Sequence, residues 1–94
     1  MASVHPLVQR LSELLTRGKS EPYAFTDAAA ERLEDAFEKL PEDQVPAATQ
    51  GVVLFAYVLE NKKKSKSAAR VILSTVEAVL KRRKLKANTA WDKR

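Results

Sequence analysis

Residues 42–63 read EDQVPAATQGVVLFAYVLENKK, and this stretch decides the fold. One set of apolar residues in it recurs at three- and four-residue steps, the spacing of a helix face. That set is Val45, Ala48, Val52, Phe55 and Leu59. A second set widens the face until the helix is apolar nearly all round, and consists of Val53, Leu54, Ala56 and Val58. Helices of this kind occupy the middle of a bundle, so the stretch predicts a central third helix.

Burial within this helix can be predicted residue by residue. Three side chains should be almost wholly buried, namely Val52, Phe55 and Leu59. Their expected neighbours on the other helices are Leu11, Leu33 and Ile72. Tyr57 is expected at the rim of the core.

Two features leave alternatives open for this segment. Gly51 makes a break possible, with a short helix before it and a longer one after, whereas Pro46 is tolerable in a first turn. The β-branched pair Val52 and Val53 could also form a buried strand. We discount the strand because the sequence offers no second strand to pair with it.

The residues before this segment predict two more helices. Apolar residues at helical spacing indicate a first helix over residues 4–17, which Gly18 would end with a left-handed cap. A loop is expected over residues 19–25. Thr26 is typical of the N-cap of a second helix, and Pro41 would end that helix.

A fourth helix follows the polar turn that ends the third. Ser65 or Ser67 would cap it, and its apolar spacing continues to about Lys84. The chain has 94 residues, with two glycines, four prolines and no cysteine. The prediction is therefore an all-α, compact single domain, a small bundle of four main helices or five if the third breaks. Residues 1–86 would form the bundle and residues 87–94 a polar C-terminal tail.

The residues that most enzyme chemistry requires are scarce. Without cysteine there is no thiol nucleophile and no Cys-ligated zinc. His5 is the only histidine, and we interpret it as a surface residue of the N-terminus. No glycine-rich phosphate loop is present. We expect a protein that is not an enzyme and uses no metal, cofactor or small-molecule substrate.

Cellular context is predicted from the same composition. A cytoplasmic location is the default for a chain without cysteine. The longest apolar run, residues 52–59, is far shorter than the ~20 residues that a membrane span needs, so a membrane partner is not expected.

Charge is distributed unevenly along the chain, whose net charge is +5. Residues 1–60 carry five basic and ten acidic side chains, a net charge of −5. Residues 61–94 carry twelve basic and two acidic side chains, a net charge of +10. Such asymmetry points to an anionic partner for the basic part.

Three sets of candidate binding residues follow from this distribution. The candidate basic surface consists of Lys62, Lys63, Lys64, Lys66, Lys81, Arg82, Arg83, Lys84 and Lys86. The candidate acidic surface is one side of the second helix, with Glu31, Glu34, Asp35 and Glu38. The candidate aromatic anchors are Tyr23 and Trp91. The basic residues would fall into two clusters at opposite ends of the hairpin formed by helices three and four.

These sets predict a non-catalytic protein–protein interaction or adaptor module. If the acidic helix and the basic end at residues 81–86 point apart, they can pair only between chains, head to tail, which would make the module self-associating. The alternative is a nucleic-acid-binding accessory protein that makes sequence-independent phosphate contacts with DNA or RNA. A helix-turn-helix around Gly51 is rejected, since its recognition helix would be the apolar run at residues 52–59.

Overall fold

The computed structural model describes residues 5–83, and most of them are helical. The helices are α1 (Pro6–Leu14), α2 (Asp27–Glu38), α3 (Val45–Asn61) and α4 (Lys66–Arg82), with a 3-10 turn at Glu42–Gln44 before α3. Two short strands, β1 (Thr16–Arg17) and β2 (Tyr23–Ala24), lie between α1 and α2. The prediction of a small helical domain is confirmed.

Helix α3 is continuous and contacts both α1 and α4. It passes through Gly51 without a break, so the alternative of two helices is wrong, and so is that of a buried strand at residues 52–53. The glycine instead allows a close approach between helices. A Cβ atom at Gly51 would lie 2.6 Å from Cγ2 of Val8 on α1.

The core lies where the sequence places it, with one correction. Val52 and Leu59 are buried, and they belong to the same cluster as Leu11, Leu33 and Ile72. Phe55 packs against this cluster but is only half-buried, so the prediction of almost complete burial is wrong for it. The reason is that α3 is covered on one side only, and Phe55 lies at the edge of the covered side.

The segment between α1 and α2 differs from the prediction. Helix α1 ends at Leu14, because Leu15 is extended (φ −73°, ψ 144°) and leads into β1. Thr16 pairs with Ala24, and Arg17 with Tyr23, in an antiparallel hairpin. Gly18 serves the turn of this hairpin instead of capping a helix, since a Cβ atom there would clash with the carbonyl oxygen of Glu21. The hairpin lets both Leu15 and Tyr23 pack on the core.

The starts of α2 and α4 are stabilised by side-chain acceptors, and the acceptor for α4 lies far away in the sequence. Thr26 caps α2 as predicted, with its Oγ1 accepting from the amide of Ala29 at 3.2 Å. Ser65 takes the N-cap position of α4, but its buried hydroxyl accepts from the amide of Tyr23 at 3.0 Å. The first turn of α4 is capped instead by Glu21, which accepts from the amide and hydroxyl of Ser67 at 3.2 and 2.7 Å.

His5 has a structural role at the start of α1. Its Nδ1 accepts from the amide of Leu7 at 3.1 Å, and its Nε2 lies 3.2 Å from Oε1 of Gln44. An acceptor at Nδ1 places the proton of the neutral ring on Nε2, which therefore donates to Gln44. The side chain is half-buried and links α1 to the turn before α3.

Candidate interaction surface

The candidate acidic surface on α2 is largely occupied within the chain. Arg82 at the end of α4 donates from Nη2 to Oε2 of Glu34 at 2.7 Å, and from Nε to Oε2 of Glu38 at 3.0 Å. Asp35 pairs with Lys39 at 3.2 Å. Within residues 5–83, Glu31 alone of the four predicted acidic residues has no ion-pair partner. Opposite charges on α2 and α4 therefore meet inside one chain, and the premise that they point apart is wrong for Glu34 and Glu38.

The end of α4 is held to α2 by two neighbouring arginines. Hydrogen bonds to the carboxylates of Glu38 and then Glu34 raise the pKa of Arg82 above its ordinary value. The guanidinium of Arg82 therefore keeps its charge throughout the neutral pH range. Arg83 donates from Nη1 to the carbonyl oxygen of Phe37 at 2.9 Å. Both guanidinium groups are thus engaged in contacts that position α4.

The second basic cluster is exposed and has no such contacts. We call it the turn lysines, since Lys62, Lys63, Lys64 and Lys66 lie where α3 turns into α4. All four are exposed, and none makes an ion pair within the described part of the chain. Lys64 has a φ of 57°, in the left-handed region. The predicted separation of the two clusters agrees with the 17 residues of α4, which span about 25 Å at ~1.5 Å per residue.

The structure changes which aromatic side chains are available for binding. Tyr23 is half-buried in β2 and packs against the core, so little of it is available as an anchor. Tyr57, predicted at the rim of the core, is 58% exposed. Three predicted site residues, Lys84, Lys86 and Trp91, lie outside the described residues.

An exposed apolar patch on α3 was missed by the sequence analysis. We call it the α3 patch, and it consists of Leu54, Tyr57 and Val58, which are 65%, 58% and 41% exposed. At about 100° per residue these positions lie on the opposite side of α3 from buried Val52 and Leu59. The available signal was the all-round apolar character of residues 52–59. That character predicts a central position in the bundle, but a helix with one buried and one partner-binding face has the same pattern.

Other classes of site find little support among residues 5–83. No three side chains of His, Asp or Glu in this part of the chain gather as a group able to hold a metal ion. No helix in the same range is long and apolar enough to cross a membrane. Comparison with protein-family models, with curated proteins and with solved structures gives no significant match to this chain.

Proposed function

We propose that this chain is a non-catalytic protein–protein interaction module that binds its partner through the α3 patch. The observation that carries the proposal is the exposure of Leu54, Tyr57 and Val58 on one face of a helix. Large apolar side chains grouped on a surface are typical of interaction sites. Tyrosine is also enriched among the residues that dominate binding energy, because its ring buries much area and its hydroxyl stays hydrogen-bonded.

The surroundings of the α3 patch support the same function. Gln50 and Asn61 are exposed one helical turn before and one turn after it, and they supply the polar rim of an interface. The turn lysines follow directly at the C-terminal end of α3. Charges at a rim set encounter rate and register more than affinity, so the apolar side chains would provide the binding energy.

The finer architecture belongs to this proposal as well. We infer that the described helices form one four-helix bundle; the first four and last three residues of the predicted domain, and the predicted tail at residues 87–94, lie outside the described residues. We place the protein in the cytoplasm, on the absence of cysteine from its sequence.

Photo-crosslinking in cells tests the proposed function. A benzophenone amino acid would replace Tyr57, and in a control would replace Ser74, which is exposed on α4. We expect a protein adduct of defined mass from position 57, lost when Leu54→Glu is added, and no such adduct from position 74. Equal labelling from both positions, or no adduct from position 57, would contradict the proposal.

Nucleic-acid binding is the second candidate, favoured by the exposed turn lysines and by exposed Tyr57 about one turn before them. Lysines would contact phosphates, and the ring could stack on a base of a single strand. Four phosphate contacts predict a slope of about −3 for log K against log salt with single strands.

Fluorescence anisotropy with labelled DNA and RNA at about 50 mM salt would detect this binding. The charge reversal of Lys62, Lys63, Lys64 and Lys66 to Glu should abolish it, and no signal at micromolar protein would eliminate this candidate.

A further inference from the structure

We propose that the partner of the α3 patch is a second copy of this chain, with the two α3 helices antiparallel and crossing at Leu54. The inference rests on the proposed function, because it names the occupant of that same surface. It differs from the head-to-tail contact predicted from the sequence, since both copies use the same face. Such an isologous contact closes at two chains.

Four exposed positions of α3 are placed symmetrically about Leu54, whereas Tyr57 has as its counterpart Gly51, which packs against Val8 of α1. Gln50 and Val58 lie four residues to either side, and Ala47 and Asn61 lie seven residues to either side; all are exposed. Steps of three, four and seven residues form the seam along which two helices pack. In an antiparallel pair, Leu54 would meet Leu54 of the partner, Gln50 would face Val58, and the small Ala47 would face Asn61.

The charges that flank α3 are opposite in sum, with two carboxylates before it and, at its other end, four lysines against the single carboxylate of Glu60. Glu42 and Asp43 are exposed in the turn just before α3, and Lys64 and Lys66 are exposed just after it. None of the four makes an ion pair within residues 5–83. The ends of α3 lie on the order of 10–14 Å from Leu54 along the axis, at ~1.5 Å per residue. The acidic end of one copy therefore reaches the basic end of the other in the antiparallel arrangement.

This layout favours a second copy over an unrelated acidic segment. A fitting partner must offer an apolar seam with basic groups at one end and acidic groups at the other. The exposed face of α3, together with the residues that flank the helix, meets all three requirements. A parallel pair would place like charges together at both ends, which destabilises an interface, so the charges select the antiparallel orientation.

The contact should be weak and should depend on concentration. Stable interfaces bury roughly 1,200–2,000 Å² in total, and three large side chains per copy supply only part of that area. In sedimentation equilibrium of the full chain at about 50 mM salt, we expect the average mass to rise from 10.5 kDa towards twice that value between about 10 µM and 1 mM protein. Leu54→Glu should keep the protein monomeric, and the matched surface change Ser74→Glu should not.

Charge reversal tests the orientation. Glu42→Lys with Asp43→Lys makes both ends of α3 basic, and the change of all four turn lysines to Glu makes both ends acidic. Each variant alone should associate at least tenfold more weakly than the wild type. An equimolar mixture of the two should recover association, because only the mixed pair brings opposite charges together.

The outcomes separate this inference from the proposed function. A wild type that stays monomeric up to 1 mM would overturn self-association, whereas an adduct from position 57 with another protein would leave the interaction module standing. An adduct with nucleic acid at that position would favour the second candidate instead. Self-association that Leu54→Glu leaves intact would overturn the inference and also count against the α3 patch as the binding surface. A mixture that recovers nothing would refute the antiparallel orientation.

Discussion

The carboxylate of Glu21 caps α4 through Ser67, a residue 46 positions further along the chain, with Oε1 2.7 Å from the hydroxyl and 3.2 Å from the amide. The contact joins the hairpin loop to the first turn of α4. A carboxylate at this position satisfies a free amide and also complements the positive end of the helix dipole.

Glu21→Ala should therefore lower the free energy of unfolding by about 1 kcal/mol. Glu21→Gln keeps an acceptor oxygen and should lose less. Urea denaturation followed by circular dichroism measures both values. Glu13→Ala, an exposed change on α1, serves as the control and should have an effect within about 0.5 kcal/mol. An equal effect at both positions would show that Glu21 does not cap the helix.

The close approach of Gly51 to Val8 predicts a specific coupling between two substitutions. Gly51→Ala improves helix propensity by about 1 kcal/mol, but the new methyl group would lie 2.6 Å from Cγ2 of Val8. We expect Gly51→Ala to destabilise the wild type and to stabilise a Val8→Ala background. The double-mutant cycle should give a coupling energy above about 1 kcal/mol. Additive effects would mean that α1 does not cross α3 at this glycine.

Thr49 offers a site for stabilisation. Its side chain is buried, and its Oγ1 has no hydrogen-bond partner within the described residues. An unpaired buried hydroxyl costs about 1–3 kcal/mol, so Thr49→Val should raise the free energy of unfolding by about 1 kcal/mol. Thr75→Val is the matched control, because Thr75 Oγ1 donates to the carbonyl oxygen of Val71 at 2.8 Å. The control should be neutral or slightly destabilising, and the reverse order of the two effects would contradict this assignment.

Two phenylalanines should differ in what their removal costs. Phe37 on α2 is fully buried, whereas Phe55 on α3 is half-buried at the edge of the core. Phe37→Ala should cost about 3–5 kcal/mol through lost burial and a cavity. Phe55→Ala should cost roughly half of that, since solvent can fill the space that it leaves. Thermal and urea unfolding of the two variants would measure the difference, and a larger loss at Phe55 would place α3 deeper in the core than described.

Local patterns in the sequence predicted the elements of this fold well. Thr26 predicts the start of α2, and the periodicity of Val52 and Leu59 predicts the buried face of α3. The hairpin at residues 16–24 was missed because its strands have two residues each, too short for an alternating pattern to be visible.

The other features that could not be predicted from the sequence depend on contacts between residues far apart in the chain. The meeting of Arg82 with Glu34 joins residues 48 positions apart, and no local spacing encodes which helices become neighbours. The α3 patch was hidden for a related reason. Apolar residues all round a helix predict that every face will be covered, and do not say whether the last face is covered by the same chain or by a partner.

Amide NMR spectra recorded at several protein concentrations test the central claim most directly. From about 20 µM to 1 mM, we expect concentration-dependent shifts at Leu54, Tyr57 and Val58 and at the charged ends of α3. The amide signals of Arg10 and Glu13, two exposed residues of α1, should stay constant over the same range. Spectra that do not change, or shifts centred on α1 or on the acidic face of α2, would contradict self-association through the α3 patch.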